Sequence, residues 1–573
     1  MLTVRGAAIA GLGMTSLGRV YGQSPRRLAA SAVRQAAADA GMALADIDGL
    51  LICPGITGGL DVGLAGLLGL RDLALLAVVN SFGASAAAAV QVAAQAVTSG
   101  AARAVACVFA DTPLREGVPA GSAFGSHGGR GGADRPPERH GLTGLAAGYG
   151  FRSVTVYYAL AARRHMERYG TTSEQLGAIA VAQRQWAAGN PVAQYRDPIS
   201  VAEHQRSRWV AEPLHLLDCS LVSNGAIAVI VTSAQLAAAG PRPPVHVWGW
   251  GQGHPGQPMA SGSDFGLVTG AVQAGRAAMG MAGIGPADVT MCEIYDCYTY
   301  TVLVTLEDYG FCAKGEGGPF AASGALGPGG SLPVNTGGGQ LSAYYMWGFT
   351  PLSEAIIQAR GDGGDRQSAA TDVILVSGNG GILAHHGTLV LSPHPAEPGR
   401  SAGQGSGRSA GQSSQSAGQG PETAGPEDRG GQPALAGPGD FGVVRADPRS
   451  APFFEAADRG ELMIRRCDGC GLWLAPSASG CPLCGEDTEP SWAVASGLGT
   501  LVSWSVVHPR QGGQVAVPAL VELAEGPWLA AGLRLAQAAE LAELHAGQPV
   551  AAKFIRPAGG ASYPVFCPVR RPA

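Results

Sequence analysis

No uninterrupted run of about 18 apolar residues, the minimum for a membrane-spanning helix, occurs in the 573-residue chain. The nearest approach, VGLAGLLGLRDLALLAVV, carries Arg71 and Asp72 at its middle, so no membrane insertion is expected. Charge is also scarce. Lys, Arg, Asp and Glu make up 14% of residues with a formal balance of −5, which argues against a nucleic acid or an anionic membrane surface as partner. The eleven cysteines supply no disulfide framework: four cluster at zinc-ligand spacing and the rest are scattered, the usage of a reduced, cytoplasmic protein. The opening MLTVRGAAIAGLGMTSLG lacks a cleavage-type ending and reads as a first core strand and turn. Glycine, in contrast, is abundant at 88 residues, and with the many small apolar residues it suits a tightly packed α/β core with close backbone approaches.

The length calls for two or three domains. Residues 1 to about 115 alternate β-type and helical runs with short connections, a β-α-β-α-β pattern that predicts a mostly parallel sheet covered by helices. The organising stretch is Asn80-Ser81-Phe82-Gly83-Ala84-Ser85, followed by AAAAVQVAAQAVTSG and the strand-like AVACVFAD. It predicts a helix buried all round, closed by Gly100, whose free N–H groups open onto a site. Residues 116–150 read as a Gly-rich surface loop. YYALAARRHMERYG and TTSEQLGAIAVAQRQWAAGNP follow as helices, the second with capping chemistry at Thr172-Ser173-Glu174. Residues 242–395 repeat the plan, since LSEAIIQARGDGG leads to DVILVSGNGG much as AVQVAAQAVTSG leads to AVACVFAD.

The organising stretch resembles the thiolase superfamily, in which a nucleophilic cysteine opens the central helix in a Cys-x-Ser-Gly-x-x-Ala-Val pattern. Here Gly83 stands at the cysteine's place. The run RYGTTSEQLGAIAVAQRQWAAGNPVAQYRDPISV and AEPLHLLDCSLVSNGAIAVIVTS is similar to sterol-carrier-protein-type thiolases, which implies a CoA thioester as ligand. Asp218, Cys219 and Asn224 within it read as turn and loop residues. The resemblance implies a duplicated thiolase fold in five layers, αβαβα, with halves at 1–241 and 242–395, and three loops of the second half converging on Gly83.

Each loop departs from thiolase chemistry. Tyr295-Asp296-Cys297-Tyr298 replaces the family's His-Asp-Cys-Phe or Asn-Glu-Ala-Phe. The catalytic histidine's place falls on Tyr345, or on Tyr344 after a one-residue shift among Gly337, Gly338 and Gly339. The last catalytic cysteine is replaced in VSGNGGILAHHG by Ser377 or a neighbouring glycine. Thiolysis needs a thiolate nucleophile and a second acid/base cysteine, and neither is present. A phenol, with an ordinary pKa near 10, is an acid at neutral pH and a base only where its surroundings lower that value. Two phenols suit a reaction that takes a proton from a hydroxyl and returns one to a carbanion, as in retro-aldol cleavage of a β-hydroxyacyl-CoA. Lipid-transfer-protein-type steroid side-chain aldolases, thiolase scaffolds stripped of cysteines, resemble the chain over 1–395. The candidate catalytic pair is therefore Tyr295 and Tyr345, with Gly83, Ser85, Tyr344, Ser377 and His385 as candidate pocket residues. Two other readings stand beside it: an acyltransferase or Claisen-type enzyme acylated on Ser85, Ser377 or Cys297, and a non-catalytic acyl-CoA or lipid carrier.

Residues 396–436 are Gly/Ser/Gln-rich and read as a disordered tether. Beyond it, Cys467-x-x-Cys470 and Cys481-x-x-Cys484 form two knuckles, a four-thiolate structural zinc ribbon placed at 450–490. GTLVSWSVVHP, PALVELAEGPWLAAGLRL and PVAAKFIRP predict the short strands of an OB-like barrel over 491–573. The whole resembles the zinc-ribbon-plus-OB proteins that accompany thiolase-like and acyl-CoA enzymes, so other acyl-CoA enzymes are candidate partners. The apolar VVNSFG approach to the Gly83 turn predicts a homodimer.

Overall fold

A computed structural model of the chain describes residues 6–120, 140–256, 259–396, 434–435, 441–485, 489–509 and 514–569. Two sets of strands repeat one plan. The first comprises β1 (Ala7–Met14), β2 (Gly49–Pro54), β3 (Leu75–Val78), β4 (Ala104–Asp111) and, after the small β5–β6 hairpin (Trp209–Ala211 and Leu214–His215), β7 (Gly225–Ser233). The second comprises β8 (Val245–Gly253), β9 (Met291–Glu293), β10 (Ile374–Gly380) and β11 (His385–Ser392). Their order, β3-β2-β4-β7-β1-β8-β11-β10-β9, is symmetric about the β1–β8 seam except for β3, which has no counterpart. β1 and β8 form the seam, β7 and β11 flank them, then β4 and β10, then β2 and β9. The senses match as well: β2–β4 and β9–β10 are parallel, whereas β4–β7, β10–β11, β1–β7 and β8–β11 are antiparallel. The internal duplication read from the sequence is thus a duplication of topology.

Side-chain alternation buries the strands on both faces. In β4, Val105, Cys107 and Phe109 enter one apolar cluster while Ala104, Ala106, Val108 and Ala110 enter another. The central helix Ser85–Ser99 and its counterpart Phe349–Ala359 touch each other and strands of both halves, whereas Pro25–Asp39 and Ala271–Ala282 cover the outer faces. These are the five expected layers. The two half-sheets are not separate, however, because β1 and β8 pair antiparallel from Ala7–Val247 to Ile9–Val245.

Two local expectations need correcting. The central helix is buried on every side only over its first six residues, Ser85 to Val90, and Gln95 and Ser99 face solvent. It ends at Gly100 in the left-handed region (φ 79°), as a helix stop requires. The stretch 116–150 is not all loop: residues 121–139 lie outside the described residues, and Gly141–Gly148 is an α-helix. Its local sequence, GLTGLAAG, is a poor helix former. Tertiary contact decides its state: Leu145 and Tyr149 are buried, and the Tyr149 hydroxyl donates to the Pro564 carbonyl of the C-terminal module at 2.8 Å.

That module comprises a three-stranded ribbon sheet (Leu462–Arg466, Trp473–Leu474, Ser491–Ala495) behind helix Ala451–Asp458 and a five-stranded antiparallel sheet. In the latter the order is Trp528–Gly532, Pro518–Leu523, Leu498–Trp504, Pro549–Ile555, Tyr563–Pro568, and a Leu533–Phe566 bridge brings the outer strands together into a barrel. The barrel rests on helix Val154–Tyr169: Ser503 Oγ donates to the Leu160 carbonyl at 2.7 Å, and the guanidiniums of Arg163 and Arg164 lie over Trp504 (5.1 Å) and Trp528 (4.9 Å). The Glu212 N–H reaches the Val506 carbonyl at 2.9 Å. Of the expected tether, residues 397–433 and 436 lie outside the described residues. No helix of the described residues is long and apolar enough to cross a membrane.

Candidate active site

Gly83 lies in the tight turn Phe82–Ala84 that opens the central helix. Its missing side chain is the key to what surrounds it. A Cβ there would collide with the Tyr295 ring and the Asn379 carbonyl, while a Cβ on Gly348 or Gly378 would collide with the Gly83 carbonyl. Three segments of the second half, at Tyr295, Gly348 and Gly378–Asn379, therefore meet at Gly83 in approaches so close that only glycine fits there. Among the described residues, four of the six non-glycine residues with positive φ cluster here: Phe82 (53°), Trp347 (51°), Ile382 (57°) and Leu383 (68°). Such conformations cost of order 1–3 kcal/mol each and collect where geometry is held for function.

The Tyr295 and Tyr345 hydroxyls face each other at 3.3 Å. The Tyr295 N–H donates to Ser377 Oγ at 3.1 Å and the Tyr345 N–H to Ser223 Oγ at 3.0 Å, so both phenols hang from anchored backbone. Asp296, next to Tyr295, accepts the Gln340 and Leu341 N–H groups at 2.8 and 3.2 Å and so ties the first loop to the segment that delivers Tyr345. Tyr344 points elsewhere, its hydroxyl 3.1 Å from Ser353 Oγ in the core. Ser85 is buried at the helix start, where its Oγ accepts the Ser81 N–H at 2.8 Å. His385 stands at the rim, stacked on Phe82 with Nδ1 3.0 Å from His254 Nδ1; burial first and His254 second lower its pKa. The structure thus brings Gly83, Tyr295, Tyr345 and Ser377 together, leaves Tyr344 behind them, and sets His385 at the edge.

Burial dominates the electrostatics. It pushes the Tyr295 phenol well above its ordinary value, with neighbouring Tyr345 and Cys297 adding to the rise. Tyr345 is raised too, by burial first and then by Cys297. Both phenols are neutral hydrogen-bond donors at physiological pH. Burial also pushes the Cys297 thiol up to about 12, which makes it a poor nucleophile.

Two residues escaped sequence reasoning. Tyr158 donates to Asn379 Oδ1 at 3.2 Å, and its ring lies 4.7 Å from that of Tyr298. Tyr158 sits in a helix whose pattern speaks only of packing; Asn379 was visible as the one polar side chain inside the glycines of VSGNGG. Asn224 is structural: its amide donates to the Val20 and Leu114 carbonyls and accepts the Leu114 N–H, stapling two loops. Asp218 likewise accepts from the Thr299 hydroxyl and the His215 N–H.

At the other end of the chain, the Sγ atoms of Cys467, Cys470, Cys481 and Cys484 lie within 4.8 Å of one another, with Cys470 and Cys481 at 3.6 Å. Zinc bonds of about 2.3 Å in a tetrahedron place sulfurs about 3.8 Å apart, so these four thiolates fit a closed structural zinc site.

Comparison with known proteins gives this geometry its context. A steroid side-chain-cleaving aldolase of Thermomonospora curvata is 38% identical over 379 residues, covering 65% of this chain and 95% of that protein. The chain belongs to the steroid side-chain aldolase family. The 17-hydroxy-3-oxo-4-pregnene-20-carboxyl-CoA lyase of Mycobacterium tuberculosis, another relative, is 37% identical over 389 residues, covering 65% of this chain and 96% of its own. Residues 251–393 match the family described as thiolase C-terminal domain-like. Residues 454–489 match the ChsH2 rubredoxin-like zinc ribbon domain and 492–554 the ChsH2 C-terminal OB-fold domain. The solved Ltp2-ChsH2(DUF35) aldolase is 35% identical with a TM-score of 0.58, covering 68% of this chain and 97% of that one. A monomeric SCP2-thiolase-like protein of Mycobacterium smegmatis, at 16% identity and TM-score 0.62, shares the fold over 98% of this chain.

Proposed function

We propose that the chain cleaves the CoA thioester of a steroid side chain carrying a β-hydroxyl, with Tyr295 and Tyr345 as a proton relay. The observation that carries this is the 3.3 Å approach of two phenols, Tyr295 buried and Tyr345 half-buried, with the Tyr295 ring against Gly83, the residue that the thiolase resemblance aligns with the nucleophile. In the retro-aldol step one phenol oxygen takes the proton of the β-hydroxyl as the bond between the α- and β-carbons breaks. The electron pair moves to the α-carbon and thioester oxygen, and the β-carbon becomes a ketone. The partner phenol's proton goes to the α-carbon, and the proton between the two oxygens crosses over. Neither phenol need ionise beforehand, which fits a site that raises both pKa values. The relatives' names supply the substrate class: a 17-hydroxy-pregnene-20-carboxyl-CoA would yield a 17-ketone and propanoyl-CoA.

Tyr295→Phe and Tyr345→Phe keep the rings and their packing, so each should bind acyl-CoA while losing roughly 10²–10⁴-fold in turnover. Cleavage of a β-hydroxyacyl-CoA at wild-type rate in both variants would overturn the relay. The cleavage rate should also run flat from neutral pH to about 10, because raised pKa values keep both phenols protonated there; a rate rising with pH over that range would mean a free phenolate base instead.

The ribbon would hold zinc structurally, and the unpaired cysteines suit a reducing, cytoplasmic setting. We infer a homodimer formed along β3, an edge strand of the sheet, where Leu76 and Val78 are exposed and the chain runs on to exposed Phe82. Sedimentation as a monomer at micromolar concentration would count against it.

A further inference from the structure

Once the two phenols are engaged with protons, the negative charge that the retro-aldol step places on the thioester oxygen has no assigned partner. An enolate left without a hydrogen-bond donor in so dry a site would be costly, so a preorganised donor is required. Ser377 and Asn379 project from the same face of β10, two residues apart. Ser377 meets the backbone of Tyr295, and the Asn379 carbonyl borders the space beside the Tyr295 ring. The intervening Gly378 faces the other way, onto Gly83 and Ala84. The Asn379 side chain is 1% exposed, and its Nδ2 has no hydrogen-bond partner. Its orientation is not free, because the Tyr158 hydroxyl donates to Oδ1 and leaves the NH₂ group turned away from that bond. The Tyr158 ring lies 4.7 Å from that of Tyr298, and Tyr158 is close enough to Tyr295 and Tyr345 to interact with both electrostatically, so the amide it holds belongs to the same cluster of phenols. A buried amide donor with nothing to donate to is expensive in a folded protein unless something else completes it.

We propose that Asn379 Nδ2 donates to the thioester carbonyl oxygen and strengthens that bond as the oxygen becomes an enolate, with Tyr158 positioning the amide. The inference rests on the retro-aldol reading above. It adds a catalytic residue that neither moves a proton nor forms a covalent bond: the electron pair released by the breaking bond spreads onto an oxygen that Nδ2 already holds, and protonation of the α-carbon returns the carbonyl.

The test uses the full-length chain, with Asn379→Ala and the near-isosteric Asn379→Asp. Two reactions are followed: ketone release from a β-hydroxyacyl-CoA with a tertiary alcohol, and deuterium exchange at the α-carbon of propanoyl-CoA in D₂O. The exchange requires the enolate but no β-hydroxyl, because solvent water in place of the ketone oxygen takes the proton that the relay passes on and returns a deuteron. Loss of one such donor typically costs about 10²–10³-fold in kcat. Both reactions should fall by that factor, with KM nearly unchanged, and the aspartate should be at least as damaging because it sets an acceptor against the growing charge. Folded variants that bind propanoyl-CoA and carry out both reactions at wild-type rate overturn the proposal. The exchange arm separates the two ideas. Wild type that exchanges without cleaving sinks the retro-aldol reading alone, provided the variants lose exchange; wild type that does neither sinks both. Should the Asn379 variants fail to fold, Tyr158→Phe decides: it leaves the amide in place but frees its orientation, and exchange should fall by about tenfold, whereas unchanged exchange overturns the proposal.

Discussion

The two halves of the thiolase-like body share a strand plan, a seam and a central helix each, yet their chemistry is lopsided. In the first half the helix opens on Gly83, Ala84 and Ser85, small residues whose polar groups are used locally. In the second, the loops around the equivalent helix carry Tyr295, Tyr345 and Asn379. The first half thus contributes space and the Tyr158 hydroxyl that orients the Asn379 amide, while the second carries the groups proposed to react. Duplication conserves what packing needs, the paired strands and helices buried between them, while the loops outside that packing are free to diverge.

The largest expected effect isolates the pair of halves from the rest of the chain. Cys467→Ser, or stripping with a strong chelator, should unfold the ribbon, since a sheet of this size has too small a core to stand without its metal. The two halves should keep their own melting transition. An ordered ribbon after metal removal, seen by proteolysis or hydrogen exchange, would show that the site is not structural.

Next comes filling the space. Gly83→Cys puts a side chain into the Tyr295 ring and the Asn379 carbonyl, so it should cost about 1–3 kcal/mol by overpacking and drop turnover by at least ~10²-fold through displacement of Tyr295. It should not restore thiolysis, because the histidine and second cysteine are also gone. Thiolytic release of acyl-CoA by this variant would show that the two halves still hold a latent thiolase site.

Tyr344→Phe is a smaller perturbation on the same loop as Tyr345. It removes a hydroxyl bonded to Ser353 and should cost about 0.5–1.5 kcal/mol in a denaturant melt while activity persists. A loss of turnover as large as that of Tyr345→Phe would mean that the loop shifts register on binding substrate.

The subtlest effect concerns Asp296, which burial raises to about 6. Because the folded value lies above the ordinary 3.8, the folded chain holds a proton that the unfolded chain releases between those values. The stability from this group is therefore complete below about pH 4 and is lost as pH rises through about 6. Comparing urea midpoints at pH 4 and 7, Asp296→Asn should show a flatter dependence than wild type; identical slopes would mean that the carboxylate ionises as freely as in the unfolded chain.

Much of this asymmetry could be read from the sequence, because absence is legible: Gly83 at a nucleophile's place and tyrosines in catalytic loops need no coordinates. The duplicated plan was legible from two helix-to-strand transitions of the same shape. Tyr158 and the Gly141–Gly148 helix were not, since each owes its state to partners far along the chain: Asn379 for the first, the C-terminal barrel for the second. Local composition cannot carry contacts separated by hundreds of residues. The joining of the half-sheets at β1 and β8 was hidden for the same reason, as strand edges look alike until they are paired.

The barrel's seat on helix Val154–Tyr169 belongs to the same polypeptide as the body it covers. Encounter between the two is thus first-order, at an effective concentration on the order of millimolar that covalent linkage provides, rather than at whatever level two separate proteins reach. Specific activity should consequently hold constant on dilution into the nanomolar range, where a two-chain assembly of micromolar affinity would come apart, and supply of body and barrel is fixed at one to one by translation itself.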